Sequence, residues 1–352
     1  MENNNKNGER KDFTVKPYSQ EEVDRILGEI DEKLTDFIKS DKYKDVLLKM
    51  GNLGKYSFTN IIYILLQNPD AVHVKGMKQW NYAGRSIKPG EKSIQIFAPI
   101  KETVITEIVD ENGEPKLDEN GNKVTKKREV VKGFKPSFVF DISQTKGKEL
   151  EAFKMDENTP VEQKELIMKG LTDVVAKHGF TVGYADEKTL GKGCYGLCNH
   201  KKKQILLLEG MSDLQTVSTM VHESGHALAH GPYRSGFEGL TAKERREIKE
   251  VEAESIACVV CFHLGLNTEN FNFSYISGWA DGDISKFRKN MDVIGQYSGE
   301  LIGGISNAFE QDRIAKREAA KKAEEEKAKA AEVKPVKKKT KRAVKQSEAV
   351  AV

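Results

Sequence analysis

Apolar residues recur every three or four positions at Val23, Ile26, Leu27, Ile30, Leu34, Phe37 and Ile38, the period of an amphipathic helix. A second helical run spans Tyr56 to Leu66, YSFTNIIYILL. The pattern then shortens to strands at Ile96-Phe97 and Phe138-Val139-Phe140. Between them lies a polar excursion with Asp-Glu-Asn-Gly at 110–113 and again at 118–121, and each Asn-Gly predicts a tight turn. Pro160 opens a helix to about His178, and QILLL at 204–208 reads as a strand before Gly210. Ser212 and Gln215 have capping-box spacing ahead of Leu214, Val217, Val221 and Leu228, which share a helical face, and Gly231-Pro232 ends that run. Thr241 and Glu244 cap a further helix to Leu264, closed by Gly265, whose second half is nearly all apolar. The pattern predicts an α+β chain of two domains, 16–148 and 161–308, with a disordered 1–15, a linker at 149–160 and a charged, Lys-rich, disordered or helical tail at 309–352.

The helix after Ser212 carries the chemistry: His222, Glu223, Ser224, Gly225 and His226 spell H-E-x-x-H. Residues four apart on a helix lie nearly above one another, so both imidazoles can reach one metal ion, with Glu223 placed to take a proton from a water on it. The motif arises by chance on the order of once in a hundred sequences of such composition, so context has to decide. Zinc in a hydrolase takes three protein ligands and leaves one position open. The helix from Thr241 supplies candidates, because Glu250 and Glu254 share a face while Glu252 points away. Carboxylates on a helix that turns apolar need a partner. We therefore assign Glu250 as third ligand of one zinc ion and Glu254 as acceptor of the free ring N–H of a ligating histidine. The alternative is a solvated acidic stripe. His230 continues the series, but eight residues of rise is roughly 12 Å, too far to share the ion with His222. It reads instead as a helix-end histidine. Cys258 and Cys261 read as small core residues, and Cys194 and Cys198 flank a glycine in a loop; the alternative is a structural four-cysteine zinc site.

Charge is uneven. The net charge of +3 over 352 residues conceals a tail, from Glu310 onward, with fourteen Lys or Arg against eight Asp or Glu. Such a tail adds salt-sensitive affinity for nucleic acid. The polar start, four cysteines and lack of a long apolar run lead us to expect a cytoplasmic protein with no membrane partner. In the first domain Tyr56, Trp80, Tyr82, Arg85, Lys88 and Lys92 place aromatic and basic groups close together, a combination that suits single-stranded DNA. The alternative is core aromatics beside solvated lysines.

Tyr56-Ser57-Phe58 with Asn60, Gln67-Asn68-Pro69, Trp80, Gly84-Arg85, Gly90-Glu91-Lys92, Ala98-Pro99 and Val139-Phe140-Asp141 with Gln144 resemble ArdC-type antirestriction proteins. The likeness runs on through the motif helix, EVEAESIACVVC and Tyr275-Ile276-Ser277-Gly278-Trp279, over roughly residues 20 to 285. It implies an N-terminal domain that binds single-stranded DNA, with Asn60 among its DNA-binding residues. It also implies a C-terminal zincin-like (gluzincin) metallopeptidase domain similar to ImmA/IrrE, on a mobile element such as a conjugative plasmid. Glu250-Val251-Glu252-Ala253-Glu254 fits the third-ligand helix of gluzincins and favours Glu250 as ligand. Tyr275 is the catalytic candidate beside Glu223, as donor to the anionic reaction intermediate. The expected function is binding of single-stranded DNA coupled to hydrolysis of a protein substrate of unknown identity. Its alternatives are a non-catalytic DNA protector with a structural zinc, and an ImmA-like protease acting on a regulatory protein.

Overall fold

The computed structural model describes residues 16–39, 43–108, 114–150, 155–231, 237, 239–269, 271, 273 and 284–332. The first half opens with α1 (Gln20–Lys39), α2 (Tyr43–Leu53) and α3 (Phe58–Gln67). Helix α1 follows the apolar stripe read from the sequence, with Ile26, Ile30 and Leu34 buried, and α3 begins where the Ser57 side chain accepts the Asn60 N–H. Helix α2 carries no long apolar repeat and was not foreseen. It forms because Val46, Leu47, Met50 and Leu53 find cover.

Strand β1 (Val74–Lys75), α4 (Met77–Tyr82) and β2 (Arg85–Ile87) lead into a long antiparallel pair, β3 (Ile94–Glu107) and β4 (Thr125–Asp141). One sheet has the order β1-β4-β3, and β2 pairs with the short β5 (Thr145–Gly147). The polar excursion is the outer part of this hairpin. Its 118–121 turn is held by Asp118, whose carboxylate accepts the N–H groups of Asn120 and Asn122 while Gly121 takes φ 80°. The 110–113 turn lies outside the described residues.

The second half places α5 (Val161–Lys177), β6 (Thr181–Ala185), α6 (Glu187–Leu190), β7 (Gly196–Asn199) and β8 (Gln204–Leu208) ahead of α7 (Asp213–Ala229) and α8 (Ala242–His263). Its sheet runs β6-β8-β7, with β6 parallel and β7 antiparallel to β8, which leaves β7 at an edge. Helix α9 (Ile284–Glu332) is a single helix of 49 residues. Its first part buries Met291, Ile294, Leu301 and Ile305; from 310 to 327 it is largely exposed and laced by ion pairs such as Lys316 with Asp312 and Glu162. The tail expected to be disordered or helical is helical as far as Glu332. Residues 1–15 and the basic 334–345 fall outside the described residues.

Residues from both expected domains enter one continuous hydrophobic core. Helix α2 lies against α8, with the Tyr43 hydroxyl 2.8 Å from Ser255 Oγ, and α9 packs on α3, α5 and α8. The chain is a mixed α/β fold, and no helix among the described residues is long and apolar enough to cross a membrane.

Candidate metal centre

The motif lies in the middle of α7, a helix that starts where the Ser212 side chain accepts the Gln215 N–H. His222 and His226 stand one above the other with their Nε2 atoms 3.1 Å apart. Across from them α8 brings Glu250, whose Oε2 is 3.8 Å from His222 Nε2 and 3.5 Å from His226 Nε2. Ligand atoms about 2.0–2.1 Å from a tetrahedral ion lie roughly 3.3 Å from one another, so the three side chains fit a single site. They form a group whose ligand atoms all lie within 4.8 Å of one another.

The close approach of the two helices depends on the fourth residue of the motif. A Cβ on Gly225 would sit 3.1 Å from Ala253 Cα, one turn along α8 from Glu250. Glycine here lets α8 come near enough for the carboxylate to reach the histidines. Ser224, beside it, is fully buried and turns its hydroxyl back onto the Met220 carbonyl at 2.7 Å.

Behind the ligand atoms each imidazole has a second partner. His222 Nδ1 lies 3.3 Å from Glu254 Oε2, a contact through which a carboxylate can fix a ring's tautomer. His226 Nδ1 lies 3.0 Å from His230 Nδ1, and His230 Nε2 lies 2.9 Å from Glu252 Oε2. The side chains of His230 and Glu252 are 2% and 0% exposed. His230 does sit at the helix end, but its partners are His226 and Glu252, a role that sequence reasoning missed. The signal was available only as a third histidine at four-residue spacing and a third carboxylate in a helix that becomes apolar.

Glu223 is 8% exposed. Burial pushes its carboxyl above the usual range, opposed first by His222 and His226 and last by the Cys198 backbone. Strand β7 lies directly on it, since a Cβ on Gly196 would fall 2.7 Å from Glu223 Cγ and 2.8 Å from Oε1. Only glycine allows the strand this close. Glu250, by contrast, is held below its ordinary value, chiefly by its hydrogen bond to His226. The two carboxylates are thus driven apart in acidity, Glu223 upward and Glu250 downward.

The cysteines do not assemble. Cys258 and Cys261 are buried in α8, where burial pushes both thiols up, Cys258 to about 12; Cys194 turns its Sγ onto the Gly196 carbonyl at 3.0 Å. Among the described residues no metal-binding group contains a cysteine.

The expected DNA-binding residues divide into two sets. Trp80 is 0% exposed with Nε1 donating to the Phe140 carbonyl at 2.8 Å, so its ring cannot stack on a base. Asn60 is buried and spends both amide atoms on the backbone of Phe97, and the Tyr56 hydroxyl donates to the Val74 carbonyl. Arg85 binds Thr145 and the Lys148 carbonyl, and Lys88 binds the Ser143 carbonyl. These five bind segments distant in sequence, β1, β3 and the stretch from the end of β4 to Lys148, which spacing could not reveal. Tyr82, 92% exposed, and Lys92 remain open to solvent. Tyr275 lies outside the described residues.

Two crystal structures of the antirestriction ArdC protein from plasmid R388, one metal-free and one Mn(II)-bound, are each 16% identical to the chain with a TM-score of 0.34. They cover 72% and 71% of this chain and 83% and 88% of their own. An uncharacterized protein of Bacillus anthracis is 25% identical over 353 residues, an alignment that covers 88% of this chain and 57% of that protein. The chain thus spans little more than half of that relative's length. Residues 16–140 match the N-terminal domain of anti-restriction factor ArdC. Residues 16–140 belong to the family of ArdC N-terminal domains, and the ArdC-type identification read from the sequence stands on that match.

Proposed function

We propose that the chain is a metal-dependent peptidase joined to a single-strand DNA-binding unit, acting in antirestriction. The observation that carries the hydrolytic half is the convergence of His222, His226 and Glu250, with Glu223 buried beside them. These three side chains would hold the ion, zinc by default; two nitrogens and one oxygen also suit manganese or cobalt. When bound, such an ion supplies the Lewis acidity that activates water and polarises a carbonyl.

The chain's own residues provide the rest. Glu223 accepts the proton released by the attacking water and returns one to the leaving amine, a task suited to a carboxyl raised by burial. The open edge of β7 lies next to Glu223 and can pair with an extended peptide, while Leu197, 42% exposed on that strand, offers an apolar contact for its side chains. Glu254 orients His222. Tyr275 stays the proposed donor to the developing anion. For the DNA half, Tyr82 supplies an exposed ring for stacking and Lys92 a phosphate contact.

Metal analysis and oligonucleotide binding on the full chain, His226→Ala and Glu223→Gln, together with proteolysis assays, test the reading. His226→Ala should lose metal and Glu223→Gln keep it while losing proteolysis, with single-strand binding unchanged in both. Undiminished cleavage by Glu223→Gln would remove its role as base. Protection of DNA in cells by that same variant would instead favour a non-catalytic protector with a structural ion.

A further inference from the structure

At the other end of α8, roughly 20 Å along the helix from Glu250, lies a cavity of about 880 Å³. It opens between α2, β1, the end of α8 and the middle of α9, where the two halves of the chain meet. One part of its wall is apolar, including Leu53, Leu264, Ile302 and Ile305. The other part carries Lys55, His73, Lys75 and His263.

These four basic groups feel one another. Burial and then Lys55 hold Lys75 below its ordinary pKa; burial, Lys75 and His263 do the same to His73, and burial and Lys55 to His263. Little negative charge answers them. Asp141 is near His73, but its oxygens already accept the N–H groups of Val72, His73 and Ser143. Glu269 lines the same cavity but is itself exposed. Among the described residues neither Lys55 nor Lys75 forms an ion pair with a carboxylate; Lys75 Nζ rests 5.1 Å over the Trp80 ring. The carbonyls at the α8 terminus, which would repel an anion, are engaged by Leu266, Gly265 and Met155 N–H groups.

Two ammonium groups beside an apolar wall match a ligand with a phosphate at one end and a flat, weakly polar ring at the other. The volume falls in the range of small-molecule sites, roughly 300–1,000 Å³. We propose that this cavity binds a nucleotide, with Lys55 and Lys75 on the phosphate and Leu264, Ile302 and Ile305 against the base. Its source is either a free mononucleotide or the 5′-phosphorylated end of a DNA strand. The second source rests on the strand-binding reading above; the first is independent of it.

Calorimetric titration of the full chain with dAMP, inorganic phosphate, and a single-stranded oligonucleotide bearing either a 5′-phosphate or a 5′-hydroxyl tests this. We expect saturable binding of a phosphorylated nucleotide that weakens roughly tenfold in Lys55→Ala and in Lys75→Ala and largely survives in Lys75→Arg. Metal content should stay unchanged in all three, which reports that the fold is intact. Binding of dAMP assigns the cavity to a free nucleotide; discrimination between the two oligonucleotides without dAMP binding assigns it to a strand end. No binding up to about 10 mM, equal affinity for dAMP and inorganic phosphate, or affinity unchanged in both alanine variants overturns the proposal. Loss of general strand binding with dAMP binding intact would count against the earlier reading alone.

Discussion

His226 uses both ring nitrogens, one towards His222 and one towards His230, which passes the contact on to Glu252. Glu252 does point away from the Glu250 and Glu254 face, as its position in α8 requires. It points instead at the end of α7, where a buried imidazole needs an acceptor. Removing the charge while keeping the shape isolates this effect. Glu252→Gln should weaken metal binding by roughly 10- to 100-fold, measured by competition with a chelating dye, because an outer carboxylate sets the basicity of the ligating ring. Affinity equal to wild type would show that the pair serves stability alone. At this scale the approach of His222 to His226 was legible, since four-residue spacing on a helix is a local property. The Glu252 partnership was not, because it joins residues 22 apart in sequence through the packing of two helices.

Elements with capping signals were equally legible: Ser212 and Thr241 start α7 and α8 where expected, and Gly265, at φ 76°, ends the second. Strand β4 was seen only in its apolar end. Its outer part is polar on both faces and pairs with β3 because the turn brings it there, which alternation of apolar residues cannot signal. Where β4 ends, Asp141 ties its own turn to the Val72-His73 segment by accepting N–H groups from Val72, His73 and Ser143. Burial would raise its pKa, but these hydrogen bonds, those of Ser143 foremost, outweigh it and hold the carboxyl below its usual value. A depressed carboxyl stabilises the fold above its unfolded pKa, about 3.9, and that contribution disappears as pH falls through the folded value. Asp141→Asn should therefore cost roughly 1.5–3 kcal/mol in denaturant unfolding at pH 7, with the gap to wild type narrowing below about pH 4. A pH-independent gap would mean that the carboxylate charge is not what matters.

The largest departure from the sequence picture is how the two halves share a core. Val46, Leu47, Met50 and Leu53 of α2 are buried, and α2 packs on α8, far along the chain. Each such side chain is worth about 1.5–3 kcal/mol when covered, so four of them approach the whole stability of a domain, about 5–15 kcal/mol. A fragment ending at residue 150 should accordingly melt well below the full chain, or without a cooperative transition, when followed by circular dichroism. Melting at the same temperature would show that the first half carries its own core. Sequence by itself determined the histidine spacing of the candidate site, the helix that presents it, the capped helix opposite and the ArdC-type likeness, because spacing and caps act within a few residues. Tertiary structure alone decided that Trp80, Asn60 and Arg85 brace the fold, that Gly196 and Gly225 admit their neighbours, and that four basic groups surround one cavity. Those outcomes depend on which surfaces meet when α8 and α9 close over the first half, and that is a property of packing between distant segments.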